Sequence, residues 1–290
     1  MVKVVLGVLA LAGMSSCATV APSAPAASDS SAGRRDAAIF ERALVEPQQV
    51  AAAIATEARI AQSSQTLPGP QDAWFEAAAG SQRVIVSAPH ATRPMREGQY
   101  RFSDGPGTAA LAQALHTACG VSVINTTRDS PSDPNYYDDN DYKRALGQLI
   151  AQTHPVLVLD IHGSHPSRPY EVDLGTMKGA SLLGHDALAT SLLEHLRAEG
   201  MVNLSDNRFA ASGKQTVTKF AAGHGVPAIQ LEISATRLQP GRGCTTAATA
   251  PGECGSVDSH LFAQLLQGLI RYLGDLGQCS APPVPVKPEP

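Results

Sequence analysis

The chain has 290 residues, 43% of them hydrophobic, and a formal net charge of −4 at pH 7. That hydrophobic fraction excludes a chain disordered throughout. No block of Lys and Arg occurs, which excludes the electrostatic footprint of a nucleic-acid binder.

The first 17 residues differ in character from the rest. Lys3 precedes an apolar run from Val4 to Met14, then Ser15, Ser16 and Cys17. A short charged start, an apolar stretch of about 10 residues and small residues before a cleavage point predict an export signal. The run is too short to span a bilayer as a mature helix, which needs roughly 20 residues. Cys17 after small residues resembles a bacterial lipoprotein box, with Met14 where Leu is usual. That resemblance implies a lipidated Cys17, and plain cleavage is the alternative. Residues 18–45 open with an Ala-, Ser- and Pro-rich stretch and read as a flexible linker. The main domain is expected over 46–280, and 281–290 is a Pro-rich tail expected to be disordered.

A helix is predicted over 46–62. The turn Leu67-Pro68-Gly69-Pro70 leads to a first strand, Arg83 to Ala88. Thr108 to Cys119 carries Leu111, Ala112 and Leu115 at helical intervals, with Gly120 as a stop. Val121 to Asn125 is a short strand, 128–141 an acidic loop, and Tyr142 to Thr153 a helix. Val156 to Ile161 lacks polar alternation, as a strand buried on both faces does. Glu171 to Leu174 is a further strand candidate. Helices follow over 186–199 and 215–223, then the strand Ala228 to Ile233 and a long amphipathic helix over 256–276. Strands alternating with helices predict a single α/β domain with a mixed, mostly parallel central sheet flanked by helices.

Apart from Cys17, the cysteines are Cys119, Cys244, Cys254 and Cys279. An even number in an exported chain favours disulfides, with three possible connectivities. Cys244 and Cys254 flank a loop of small residues and are the first expected pair, which leaves Cys119 with Cys279. No CxxC spacing points to a cysteine metal site.

Three strands place unusual polar residues at or near their carboxyl ends: His90, then Asp160 and His162, then Glu232. Open α/β sheets bind ligands at that edge. A hydrolytic zinc site needs about three protein ligands and one open position. The expected set is therefore one Zn2+ per chain held by His90, His162 and a loop carboxylate, Glu97 in preference to Asp104. Glu232 is the expected general base, since a carboxylate in an apolar strand is costly unless paired or functional. Asp160 can orient a ligand. His165 is near enough in sequence to reach the crevice, and the remaining histidines are read as structural. Arg96, Arg144 and Arg237 are candidates for binding an anionic substrate, because guanidinium pairs well with carboxylate. No G-x-S-x-G elbow for a serine hydrolase is present. The cluster Asp138-Asp139-Asn140-Asp141 does not have EF-hand spacing.

Val86 to His90 (VSAPH), Asp133-Pro134-Asn135, Leu159 to Gly163 (LDIHG) and Ile229 to Ile233 (IQLEI) resemble the N-formylglutamate amidohydrolase family. That family is similar to the zinc carboxypeptidases and aspartoacylases. The resemblance covers about residues 83–275. It implies a single zinc, a mixed α/β sheet and hydrolysis of an N-acyl amino acid or small peptide. It implies that His90 and His162 are metal ligands, Glu232 the catalytic glutamate, and Asn135 part of the substrate-carboxylate site. Tyr136 stands where the family pattern has Arg, and Arg93 where zinc carboxypeptidases have Glu three residues after the first His. The competing expectation is a periplasmic binding lipoprotein that keeps the fold without the activity.

Overall fold

Short apolar strands separated by amphipathic helices build one seven-stranded sheet in a computed structural model of the chain. The structure describes residues 45–63, 68–69, 72–103, 105–241 and 259–279. All belong to one compact unit, Ala43–Pro290. In chain order the elements are α1 (Pro47–Ser63), β1 (Phe75–Ala78), β2 (Val84–Ala88), β3 (Met95–Arg96), β4 (Gln99–Tyr100), α2 (Thr108–Cys119) and β5 (Ser122–Thr126). Then come α3 (Asp141–Thr153), β6 (Leu157–Ser164), β7 (Val172–Gly175), α4 (Ala187–Ala198), β8 (Leu204–Asp206), α5 (Val217–Gly223), β9 (Ala228–Ser234), the single turn α6 (Ala235–Leu238) and α7 (Ser259–Asp275).

The strand order is β1-β5-β2-β6-β9-β7-β8. The four central strands, β5, β2, β6 and β9, run parallel. β1 joins β5 antiparallel at one edge, and β7 joins β9 antiparallel near the other. The sheet is therefore mixed and mostly parallel, with helices on both faces.

Alternation along the central strands decides where each helix packs, because successive side chains point to opposite faces. Val84, Val86, Leu159, Ile161, Ile229, Leu231 and Ile233 face one way and meet α2, α4 and α7. Phe262, Leu265, Leu266, Leu269 and Leu273 of α7 are fully buried there, at the spacing of one helical face. Truncating such a leucine to alanine costs about 2–5 kcal/mol. The opposite face begins apolar, with Ile85, Val158 and Ala228 against α3 and α5. Towards the carboxyl ends it turns polar: Ser87, Asp160 and Gln230 in one row, His162 and Glu232 in the next.

At the α3 start, the acidic residues find partners in the first turn of the helix. Asn140 has an extended backbone and its side chain accepts the Lys143 N–H, an N-cap worth about 1 kcal/mol. Asp138 accepts from Lys143 Nζ at 2.9 Å, and Asp141 pairs with Arg144. The last residues of the 128–141 loop are thus tied to the helix that follows them.

The strand before Arg83, the β3–β4 hairpin and β8 have no counterpart among the predicted elements. All are short, and β1 presents a half-exposed, half-covered edge rather than an apolar run. The predicted strand 156–161 extends to Ser164, so His162 lies within β6 rather than after it. Cys119 and Cys279 form a disulfide. The expected leader and linker, Cys17, Asp104, the Cys244–Cys254 pair and the 281–290 tail lie outside the described residues.

Candidate functional site

Parallel pairing of β6 with β9 puts His162 directly opposite Glu232, and Asp160 opposite Gln230. β2 ends one strand over, and the chain turns at Pro89 to present His90. The two imidazoles meet edge to face with ring centroids 4.9 Å apart. Both are buried, His90 at 7% and His162 at 2% exposure. Three residues far apart in sequence thus converge at the carboxyl edge of the sheet, where open α/β sheets bind ligands.

His90 is oriented by Asp133. Its Nε2 lies 2.9 Å from Asp133 Oδ1. The same oxygen accepts the Asn135 N–H at 2.8 Å, and Oδ2 accepts from Arg96 Nε at 2.9 Å and from Nη2. Burial pushes the Asp133 carboxyl up, but His90 and Arg96 outweigh it and hold the group well below the ordinary carboxylate range. With Nε2 turned to Asp133, Nδ1 is the His90 atom a metal would take.

His162 Nε2 stands 3.3 Å from Asp160 Oδ2, yet it is buried without a hydrogen-bond partner. Asp160 Oδ1, Gln230 Oε1 and Ser164 Oγ are orphaned in the same way. Burial lowers the His162 pKa, and the adjacent Asp160 more than reverses this, so the net shift is upward. Orphaned buried polar atoms are rare in folded proteins and mark sites completed by water or an ion. Gln230 Nε2 donates to Glu232 Oε1 at 2.9 Å, which fixes the glutamate beside His162.

Two converging imidazoles and an orphaned ring nitrogen fit a divalent ion of the zinc class. Among the described residues, no group of three His, Cys, Asp or Glu side chains gathers as a ligand set. Glu97 does not join the histidines. It and Gly98 both have positive φ, 53° and 80°, and form the two-residue turn between β3 and β4. The Glu97 carboxylate instead accepts from the Tyr136 hydroxyl, in a neighbouring pocket. Ser103 Oγ donates to the His90 carbonyl at 2.8 Å, and a Cβ on Gly105 would come within 2.4 Å of that same oxygen.

The crevice in front of these groups has a volume of about 550 Å³. His90, His162, Glu232, Asn135 and Arg96, all candidates in the sequence, line it. Asn135 Oδ1 is committed to the Val217 N–H at 2.7 Å, so its amide Nδ2 is the end left to serve a ligand. Arg144 and Arg237 do not line the crevice. Arg144 is exposed on α3 and pairs with Asp141. Arg237 is buried and spends its guanidinium on Glu171 and on Gln264 of α7. His165 turns to Ser167 on the surface. Arg101, Arg208 and Lys214, none of them singled out by sequence, do line it. Asp133 carried a signal in the Asp-Pro-Asn segment. Arg208 and Lys214 carried none, because their loop has no distinctive pattern.

No protein-family model and no curated protein matches the chain. Solved structures do. An N-formylglutamate amidohydrolase from Ralstonia eutropha JMP134 is similar with a TM-score of 0.48 and 14% identity, covering 71% of this chain and 98% of that one. A bacteriophage poly-gamma-glutamate hydrolase gives 0.42 and 16%, over 69% of this chain and 89% of the other. A metallo-carboxypeptidase from Burkholderia cenocepacia gives 0.40 and 14%, over 72% and 60%.

Proposed function

We propose that this chain is an exported, zinc-dependent hydrolase that cleaves the amide bond of an N-acyl amino acid or small peptide. One observation carries the reading: His162 and Glu232 stand opposite each other on adjacent parallel strands, with the His90 ring against His162, at the mouth of a polar crevice. His90 and His162 would hold the ion. When bound, an ion of this class supplies Lewis acidity to the scissile carbonyl and lowers the pKa of a water beside it.

The chain's own groups do the rest. Asp133 fixes the tautomer and direction of His90 through Nε2. Gln230 holds Glu232 by one oxygen. Glu232 then takes a proton from the attacking water and returns it to the leaving nitrogen, general acid–base work contributing about 10²–10⁴-fold. Glu97 is held at its hairpin tip by Tyr136, so Asp104 is the carboxylate to test as third ligand. Export is supported by the leader-like residues 1–17 and by the Cys119–Cys279 disulfide, a bond of oxidising compartments. Anchoring through Cys17 is part of the same proposal.

A binding protein without turnover is the second reading, favoured by the lack of a third ligand among the described residues. Metal content per chain by elemental analysis, with a turnover screen of N-acyl amino acids, separates the two. About one zinc, lost in His162→Ala and in Asp104→Ala, together with amide cleavage, is the expected result. Zinc without turnover supports the binding protein, and no zinc uptake at all removes the hydrolase mechanism.

A further inference from the structure

Two hydroxyls next to the crevice have no part in the chemistry described so far. Period two along β6 puts Ser164 on the face that carries Asp160 and His162, one row beyond the His162–Glu232 pair. Its register partner, Ser234, has a hydrogen bond to Thr236 Oγ1 at 2.9 Å. Ser164 is 6% exposed, yet its Oγ is buried without a hydrogen-bond partner among the described residues. The Tyr170 hydroxyl is in the same condition, on a residue 4% exposed. Buried hydroxyls are seldom left this way without a role.

Tyr170 is carried to this place by the residue after it. The Glu171 carbonyl accepts the Ser234 N–H at 2.8 Å, two residues past Glu232 on β9. The Glu171 N–H donates to the Asn203 carbonyl at 2.7 Å, and its carboxylate accepts the Val202 and Asn203 N–H groups at 2.8 and 3.0 Å. The backbone beside Tyr170 is therefore pinned to the end of β9. Burial pushes the Tyr170 phenol up, the neighbouring Ser164 hydroxyl pulls it down, and the Glu232 carboxylate pushes it up again, for a net upward shift. The phenol is thus a proton donor at neutral pH, with Ser164 at hand and Glu232 within its field. Neither hydroxyl is among the described residues that line the crevice, so neither meets a substrate there.

We infer that Tyr170 is a positioning residue for Glu232 and acts through Ser164: the phenol O–H donates to Ser164 Oγ, and the Ser164 O–H donates to the Glu232 carboxylate. This rests on the amide-hydrolase reading for what Glu232 does, but not for the contacts themselves. An ionised carboxylate only accepts, so the chain runs in this one direction. Gln230 holds Glu232 from the row below, and the hydroxyls hold it from the row above. A carboxylate restrained from both rows keeps its remaining lone pairs aimed at the attacking water.

The test is steady-state kinetics on N-acyl amino acids for Tyr170→Phe, Ser164→Ala and the double variant, beside a crystal structure of the wild type. Each single change should lower kcat about tenfold with KM and zinc content unchanged. The double variant should be no slower than the slower single one, because both changes break the same chain. Ser164→Thr keeps a hydroxyl and should keep the rate. In the crystal, Ser164 Oγ should lie within hydrogen-bond distance of both Tyr170 Oη and the Glu232 carboxylate. Wild-type kcat in both single variants overturns the inference, as do losses that multiply in the double variant, a rise in KM alone, or lost zinc. A crystal in which Ser164 lacks either contact overturns it too. Both contacts present with no amide cleaved by the wild type uphold the inferred chain and refute the hydrolase. Amide cleavage at wild-type kcat in the variants does the reverse.

Discussion

Replacing Asp133 by asparagine keeps the shape of a buried side chain and removes one acceptor and one charge. The carboxylate serves His90 Nε2, the Asn135 N–H and two Arg96 nitrogens. An amide has one oxygen for these donors. If that oxygen stays with His90 and Asn135, the new NH₂ meets the Arg96 donors. If the amide flips, NH₂ faces His90 Nε2 and drives the ring proton onto Nδ1, the atom proposed for the metal. Either way a hydrogen bond to a charged partner is lost, about 1.5–3 kcal/mol. For a domain of this size that lowers Tm by about 2–4 °C per kcal/mol. Loss of the orienting partner of a ligand histidine lowers metal affinity by about 10–100-fold. Thermal melts of the metal-free protein and zinc titration against a competing chelator read the two effects separately. A variant with wild-type Tm and wild-type zinc affinity would show that Asp133 neither stabilises this loop nor orients His90.

Glu232→Gln should retain zinc and fold normally while turnover falls by about 10²–10⁴-fold; near-normal rates would remove Glu232 as the base. Glu57 of α1 accepts the Gly107 N–H at 2.8 Å, and burial lifts its pKa above the ordinary 4.5 despite that contact. A raised carboxyl pKa means the folded state binds the proton more tightly. Its contribution is therefore complete below pH 4.5 and is lost as pH rises through the folded value. Glu57→Gln should gain stability relative to wild type on going from about pH 4 to pH 7, read as urea midpoints, whereas a constant difference would contradict the sign. Cys119 and Cys279 close a loop of 160 residues. Replacing both with alanine should cost about 2–4 kcal/mol in urea denaturation, and an unchanged midpoint would mean that the bond does not constrain the unfolded chain.

Much of this molecule was legible in the amino-acid order. Apolar runs of strand length alternating with helix-period segments dictate a mostly parallel centre, and within such strands a period of two decides which residues share a face. His162 and Asp160 are two apart, as are Glu232 and Gln230, so each pair had to project together. Charged and imidazole groups at the ends of apolar strands are costly unless used, which made them visible before any fold was known. Long-range encounters were not legible, because no local pattern encodes them. Asp133 finds His90 across 43 residues only when the 128–141 loop docks on the β3–β4 hairpin. Arg237 looked close to Glu232 along the chain, yet α6 turns it towards Glu171 and α7, where its charge is spent. Arg208 and Lys214 look like ordinary surface cations in sequence, and the buried Asp173 and Lys143 place them at the crevice. Strand periodicity is a property of neighbours in the chain, so the sequence determined which groups share the sheet edge. Loop docking is a balance of buried charge and hydrogen bonds between distant segments, so only the tertiary structure decided which loop cations reach them.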